Sequence, residues 1–177
     1  MSNVFSTTLN TPDGPFSIVT DGAVVLASGW TDDIASLIAL IHATLRPEPS
    51  AIRQVAPCDE EQPIAAAVAA VREYYAGDLD APRRIAVLQR SGEFRTHAWD
   101  VLRDVRPGEP VTYTEYANRA GRPAAVRAAA SACACNAAAL FVPCHRVLRS
   151  DGSLGGFRYG LGIKKNLLEH EAVHPQE

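Results

Sequence analysis

The segment Leu140-Phe141-Val142-Pro143-Cys144-His145-Arg146-Val147 sets a thiol, an imidazole and a guanidinium side by side in an otherwise apolar run. A cysteine in such a run is usually an inert core residue. Here the adjacent His145 and the charge of Arg146 predict a thiol pKa lowered from about 8.5, which enriches the nucleophilic thiolate. A base beside a nucleophile needs a third group to orient it. Ile163, Leu167, Leu168 and Glu171 recur at i, i+4, i+5 and i+8, so Glu171 falls within the apolar face of a final helix and needs a hydrogen-bonded partner there. Exposure at a frayed helix end is the competing reading of the same spacing. If the helix folds back, Glu171 orients His145, and His145 takes the Cys144 proton directly or through one water. Cys133, Cys135, Cys144 and His145 also make a nominal zinc set. Helical residues two apart point about 200° apart, so Cys133 and Cys135 face one ion only where the helix has ended, and the expectation is no metal.

The elements that must position these residues are helical. Phe94, Ala98, Val101, Leu102 and Val105 form one stripe, ended by Pro107-Gly108. Thr112 with Glu115 is a capping box for a short helix to Ala120. Gly121-Arg122 then breaks the chain, and Pro123 fits the first turn of a further helix to about Cys133. Two short helices on so brief a turn match a helix-turn-helix, although helical hairpins without DNA share the pattern. The second helix carries almost no side-chain bulk from Ala124 to Ala132 except for Arg127. Such a helix either packs tightly inside the domain or enters a narrow DNA groove with one long cation leading.

The first half reads differently. Val4–Leu9, Phe16–Thr20 and Ala23–Trp30 are short strands separated by Pro12-Asp13-Gly14 and Asp21-Gly22, which predicts a small antiparallel sheet. A helix follows, with Ile34, Leu37, Ile38, Ile41 and Leu45 on one stripe behind a Thr31-Asp32 cap. Residues 46–62 read as a surface loop, a second helix starts at Pro63 and stops at Gly77, and Arg84–Leu88 is one possible strand. The fold class is therefore α+β: a small sheet with helices over residues 1–90, and a mainly helical domain with a helix-turn-helix over residues 91–177.

With 177 residues, 47% of them hydrophobic and 21% charged, the chain can bury a core, which excludes disorder and coiled coil. The net charge of -3 hides an asymmetry: residues 1–93 hold six basic against twelve acidic groups, and residues 94–177 hold eleven against eight. A nucleic-acid surface is thus possible on the second half only. No run reaches the roughly 18 apolar residues of a membrane span, and no leader-like start is present, so a cytoplasmic protein with four reduced cysteines is expected.

Taken together, these motifs resemble the O6-alkylguanine-DNA alkyltransferase (methylated-DNA-protein-cysteine methyltransferase) family. The matching residues are Gly108-Glu109-Pro110-Val111-Thr112-Tyr113, then Arg127, Asn136, Pro143-Cys144-His145-Arg146-Val147, and Glu171 within Asn166-Leu167-Leu168-Glu169-His170-Glu171. Thr11-Pro12-Asp13-Gly14-Pro15 and Tyr74-Tyr75-Ala76-Gly77 extend the likeness more loosely into the first half, for which the family implies a ribonuclease-H-like domain. The resemblance implies suicidal repair without a cofactor. Cys144 would take the alkyl group from guanine O6 and keep it, His145 would act as base, Glu171 would orient it, and Tyr113 would assist protonation of the departing guanine. Arg127 would fill the gap left by the flipped nucleotide in alkylated duplex DNA, with Ala125 and Ala128 also binding DNA, approached through the minor groove by a monomer with no membrane partner. Asn136 would brace the turn before the active loop, and Val147, Phe157 and Arg158 would line the guanine pocket. The chain departs from the family pattern at Ala128–Cys135, where glycines are usual, at Ala137, where proline is common, and at Phe157, where tyrosine is usual. Two other functions share some of these features: a cysteine-histidine hydrolase, which would turn over, and a DNA-binding regulator without transfer activity.

Overall fold

The structure, a computed structural model, describes residues 3–174. They gather into two units, one running to Arg90 and taking in Ala137–Phe141, the other comprising Ser91–Asn136 and continuing from Val142. The architecture is mixed α+β.

In the first unit β1 (Val4–Thr11), β2 (Gly14–Thr20) and β3 (Val25–Gly29) form an antiparallel meander. The β1–β2 turn closes on Pro12-Asp13, with Thr11 Oγ1 donating to the Gly14 carbonyl at 2.8 Å. At the β2–β3 turn Gly22 takes φ 96° and Asp21 Oδ1 accepts from Ala23 and Val24 N–H, each at 3.0 Å. The sheet is not wholly antiparallel as expected. Residues 46–62, read as loop, contain a short 3-10 turn and a strand β4 (Ile52–Gln54) that joins β1 in parallel, giving the order β3-β2-β1-β4. Three residues with one hydrophobic side chain gave no period to read.

Buried residues run almost unbroken through the first three strands, so the sheet is covered on both faces. Buried hydroxyls find carbonyl partners: Thr7 donates to Val55 O at 2.8 Å, Ser17 to Thr31 O at 2.6 Å and Ser28 to Ala139 O at 2.7 Å. Residues 137–141, kept with the second half in the sequence reading, pack in this unit because they cover the outer edge of β3. Ser28 N–H donates to Ala137 O at 2.8 Å and Ser28 O accepts from Ala139 at 3.2 Å. Val25 likewise bridges Val87, which is all that forms of the strand expected over 84–88. Helix α1 (Ile34–Leu40) is capped by Asp33 rather than by Thr31-Asp32, its Oδ1 accepting from Ser36 N–H at 3.2 Å, and α2 spans Ala65–Tyr75.

The second unit is built on α3 (Glu93–Arg103), α4 (Tyr113–Arg119), α5 (Val126–Ala134) and α6 (Leu161–Val173). Thr112 caps α4, its Oγ1 accepting from Glu115 N–H at 3.1 Å. Pro123 lies in the link before α5 rather than in its first turn, and Ala125 takes the N-cap position. The alanines of α5 let it approach α3 closely. Ala129 and Ala132 are fully buried, and Trp99 of α3 donates its indole N–H to Ala132 O at 2.9 Å. Behind them Tyr116 is completely buried with its hydroxyl on Ala98 O at 2.6 Å. A short parallel pair, β5 (Val111–Thr112) with β6 (Val147–Leu148), ties the start of α4 to the chain just beyond Cys144. No helix among the described residues is long and apolar enough to cross a membrane.

Candidate active site

The chain enters the Cys144 loop under backbone strain. Leu140 has φ 74°, the one positive value outside glycine among the described residues, a conformation costing about 1–3 kcal/mol that the surroundings must hold. Pro143 (φ -83°, ψ 65°) then forms an inverse γ-turn, closed by Cys144 N–H donating to Val142 O at 2.9 Å. The same carbonyl accepts from the buried Asn136 Nδ2 at 2.8 Å. Asn136 also hydrogen-bonds the Cys144 thiol. One amide thus fixes both the turn and the sulfur.

Cys144, His145 and Arg146 form a single 3-10 turn. His145 is fully buried, and its Nε2 lies 2.7 Å from Glu171 Oε1. Arg146, also buried, donates Nε to both Glu171 oxygens at 3.2 and 3.1 Å and Nη2 to Oε1 at 3.0 Å, while its Nη1 donates to Val105 O at 2.7 Å. The Gly108 amide also donates to the carboxylate, at 3.5 Å. Burial alone would raise the Glu171 pKa, but the facing His145 and Arg146 overcome it and hold the carboxyl well below its usual range. His145 shifts the other way: burial disfavours the imidazolium more than Glu171 favours it, and Arg146 adds to the lowering. The consequence is a neutral imidazole against an ionised carboxylate. Because a carboxylate only accepts, the ring proton sits on Nε2, and Nδ1 keeps its lone pair. That Nδ1 is buried and has no hydrogen-bond partner among the described residues. It is the atom free to take a proton.

The thiol does not behave as its neighbours in sequence suggest. Its pKa is raised, not lowered: burial dominates, and the Asn136 hydrogen bond with the charges of Lys164 and Arg158 only partly offsets it. The expected contribution of Arg146 fails because Glu171 already engages that guanidinium. Cys144 is therefore held as a thiol.

Lys164 and the Arg146 ion pair were missed in the sequence reading. Lys164 is fully buried, with its Nζ donating to Val147 O at 2.7 Å, to Leu154 O, and to Gly156 O at 3.3 Å. It pins the loop that leads to Phe157 and Arg158. The signal was present: Lys164, Leu167, Leu168 and Glu171 stand at i, i+3, i+4 and i+7, and of these Lys164, Leu167 and Glu171 are the buried residues of α6, whereas Ile163 is only half-buried.

Tyr113 opens α4, half-buried, with burial first and the nearby Cys133 and Cys144 second in pushing its phenol up to about 12, so it stays a proton donor. Gly155, at φ 71°, lies against its ring: a Cβ there would come within 3.2 Å of Tyr113 Cε2. Val147 is buried in β6. Phe157 stacks edge-on against Tyr159 at 5.8 Å between ring centroids, and Arg158 donates to Ala134 O at 2.5 Å. Arg127 and Ala128 are exposed on α5, and Ala125 is half-buried at its start. Cys133 lies in α5 and Cys135 caps it, and among the described residues no group of three or more His, Cys, Asp or Glu could hold a metal ion.

Comparison with known proteins gives this geometry a family. Residues 93–173 match the family model described as 6-O-methylguanine DNA methyltransferase, DNA binding domain. A protein of Acanthamoeba polyphaga mimivirus named "Probable methylated-DNA--protein-cysteine methyltransferase" is 33% identical over 115 residues, 65% of this chain and 76% of that one. The chain belongs to the methylated-DNA–protein-cysteine methyltransferase family. The bifunctional transcriptional activator/DNA repair enzyme Ada of Escherichia coli is 44% identical over 108 residues, 60% of this chain and 30% of Ada. The chain spans 51% of the Kluyveromyces lactis methyltransferase, at 38% identity over 97 residues. The crystal structure of Mycobacterium tuberculosis O6-methylguanine methyltransferase is similar across 98% of this chain and 95% of that one, with TM-score 0.76 and 28% identity. Mycobacterium tuberculosis OGT in complex with DNA is similar over 96% of this chain and 94% of that one, with TM-score 0.76 and 26% identity.

Proposed function

We propose that the chain is a single-use DNA repair protein that moves an alkyl group from O6 of guanine onto its own Cys144. The observation that carries this reading is the 2.7 Å hydrogen bond between Glu171 of α6 and His145, which lies in the turn that bears Cys144. His145 Nδ1 accepts the thiol proton directly or through one water, the sulfur attacks the alkyl carbon, and the C–O6 bond breaks as the S–C bond forms. Guanine leaves with a proton, assisted by the Tyr113 phenol. A thioether is a poor leaving group, so each molecule reacts once and no cofactor enters the balance. Several relatives are named methylated-DNA–protein-cysteine methyltransferases, which supports the assignment.

The DNA partner is an alkylated duplex. In this reading α4 and α5 act as a helix-turn-helix at the minor groove, the methyl-sized side chains of Ala125 and Ala128 permit close approach, and Arg127 fills the gap left by a flipped nucleotide. The similarity to a structure in complex with DNA supports the partner. Val147, Phe157 and Arg158 line the guanine pocket, with Asn136 bracing the loop. One chain holds every group the reaction needs, so a monomer suffices, and a reducing cytoplasm suits a reactive thiol. Mixing the protein with a duplex carrying one radiolabelled O6-methylguanine tests the reading: label should appear on Cys144 at one equivalent per protein. Released label in excess of protein would instead indicate a hydrolase, and binding without transfer a regulator.

A further inference from the structure

The second unit holds a cavity of about 550 Å³ in which Ser91, Phe94 and Arg95, at the start of α3, face Arg122, Ala128 and Ser131 of the α4–α5 pair. Both arginines are positioned. The Arg122 guanidinium lies 5.0 Å from the centroid of the Phe94 ring, and Arg95 donates to Ser91 Oγ at 3.2 Å and to Ser131 Oγ at 2.9 Å. Their partners are a ring and two hydroxyls, and neither guanidinium pairs with a carboxylate among the described residues. Glu93 is the one acid on the wall, so two guanidiniums outweigh one carboxylate. Planar forks held in place and left uncompensated match an oxyanion with several acceptor oxygens.

We propose that this cavity seats one phosphate of a DNA strand, held by Arg95 and Arg122 and separate from the Arg127 position. The inference rests on the DNA repair reading and adds a contact that is blind to damage. Ala128 makes the link: it belongs to the cavity wall and to the exposed face of α5 beside Arg127, and its methyl group leaves room for a backbone to pass. A strand lying along α5 thus brings a phosphate over the two guanidiniums. The seat fixes register on the duplex, whereas Arg127 acts on the flipped nucleotide.

The test is binding of an undamaged, fluorescein-labelled duplex by anisotropy between about 50 and 200 mM salt. The double variant Arg95→Gln/Arg122→Gln should flatten the slope of log K against log salt by about one. Phe94→Leu, which changes no charge, should weaken binding severalfold at fixed salt with the slope retained, because Arg122 loses its platform. The Arg53→Gln/Arg72→Gln double in the first unit removes as much charge and should leave the slope nearly as it was. An unchanged slope in the cavity double, or an equal fall in the Arg53/Arg72 control, overturns the seat. Inorganic phosphate is the second probe. Amide shifts at Phe94 and Arg95 on adding phosphate, without any change in the duplex slope, would assign the cavity to free phosphate and also overturn the DNA assignment. Should the double variant unfold, Arg122→Gln alone carries the test, since that side chain is exposed. Alkyl transfer from a free O6-alkylated guanine by the unsubstituted protein tests the proposed function independently of the seat.

Discussion

A thiol that gives its proton to a neighbouring neutral imidazole reacts through a pair whose total proton count does not change. With His145 lowered from 6.5 and Cys144 raised from 9.0, that pair carries one proton across the whole interval between them. The single-turnover transfer rate should therefore stay level from about pH 6.5 to 8.5. A free thiolate of raised pKa would instead gain close to tenfold per pH unit, and such a rise would sink the pair mechanism. Cys144→Ser should abolish transfer and leave duplex binding intact, checked by anisotropy alongside mass spectrometry for label on any other cysteine. Glu171→Gln should slow transfer by about a hundred- to ten-thousand-fold, the range for a positioned acid-base system. It also leaves Arg146 buried without its counter-charge, so a loss of about 3–5 kcal/mol in denaturant unfolding should accompany it. His145→Ala, which keeps the Arg146–Glu171 pair, should lose rate with a smaller loss of stability, and equal rates in both variants and the parent would remove the relay altogether.

On α5 one long side chain stands among short ones, and its role separates by substrate. If Arg127 fills the stack vacated by an extruded nucleotide, Arg127→Ala should lose transfer from duplex far more than from a free O6-alkylated base, which carries no extrusion cost of a few kcal/mol. Equal losses on both substrates would reduce Arg127 to a structural or general electrostatic residue. What the sequence made legible at this scale was what short-range rules encode: the Thr112 cap of α4, the paired turns of the meander, and Glu171 on the inward face of α6. Lys164 escaped because a lysine is read as solvent-facing by default, and only its three backbone carbonyl partners, contributed by residues 8 to 17 positions away, let it be buried. The role of Arg146 escaped for a related reason. Adjacency pointed to Cys144, while the actual partners, Glu171 and Val105, lie 25 and 41 residues off. Residues 137–141 look like part of an apolar approach to the active loop, and nothing local says that they close the edge of β3 more than a hundred residues earlier.

For the whole molecule, buried titratable groups set the pH limits of folding. The unfolded chain protonates His145 near its ordinary value of 6.5 while the native ring stays neutral, so stability falls as pH drops below that value. Glu171 contributes stability that is complete above its ordinary 4.5 and lost as pH falls toward its lower folded value, steepening the acid limb. On the alkaline side Cys144 and Cys133 both have raised thiol pKa values, burial being the main cause, so the unfolded chain releases their protons first and stability declines above about pH 9. Tm should therefore be highest between about pH 6.5 and 9. On the proposed function, alkyl transfer changes that profile. Alkylated Cys144 is a thioether with no proton to lose, so its share of the alkaline decline disappears while that of Cys133 remains. Tm measured from pH 8 to 10 before and after reaction with a free O6-methylguanine base should show a shallower fall in the reacted protein, with the acid limb unchanged. Superimposable alkaline limbs would mean that the Cys144 thiol is not held above its ordinary pKa, and the need for His145 as its base would fall with it.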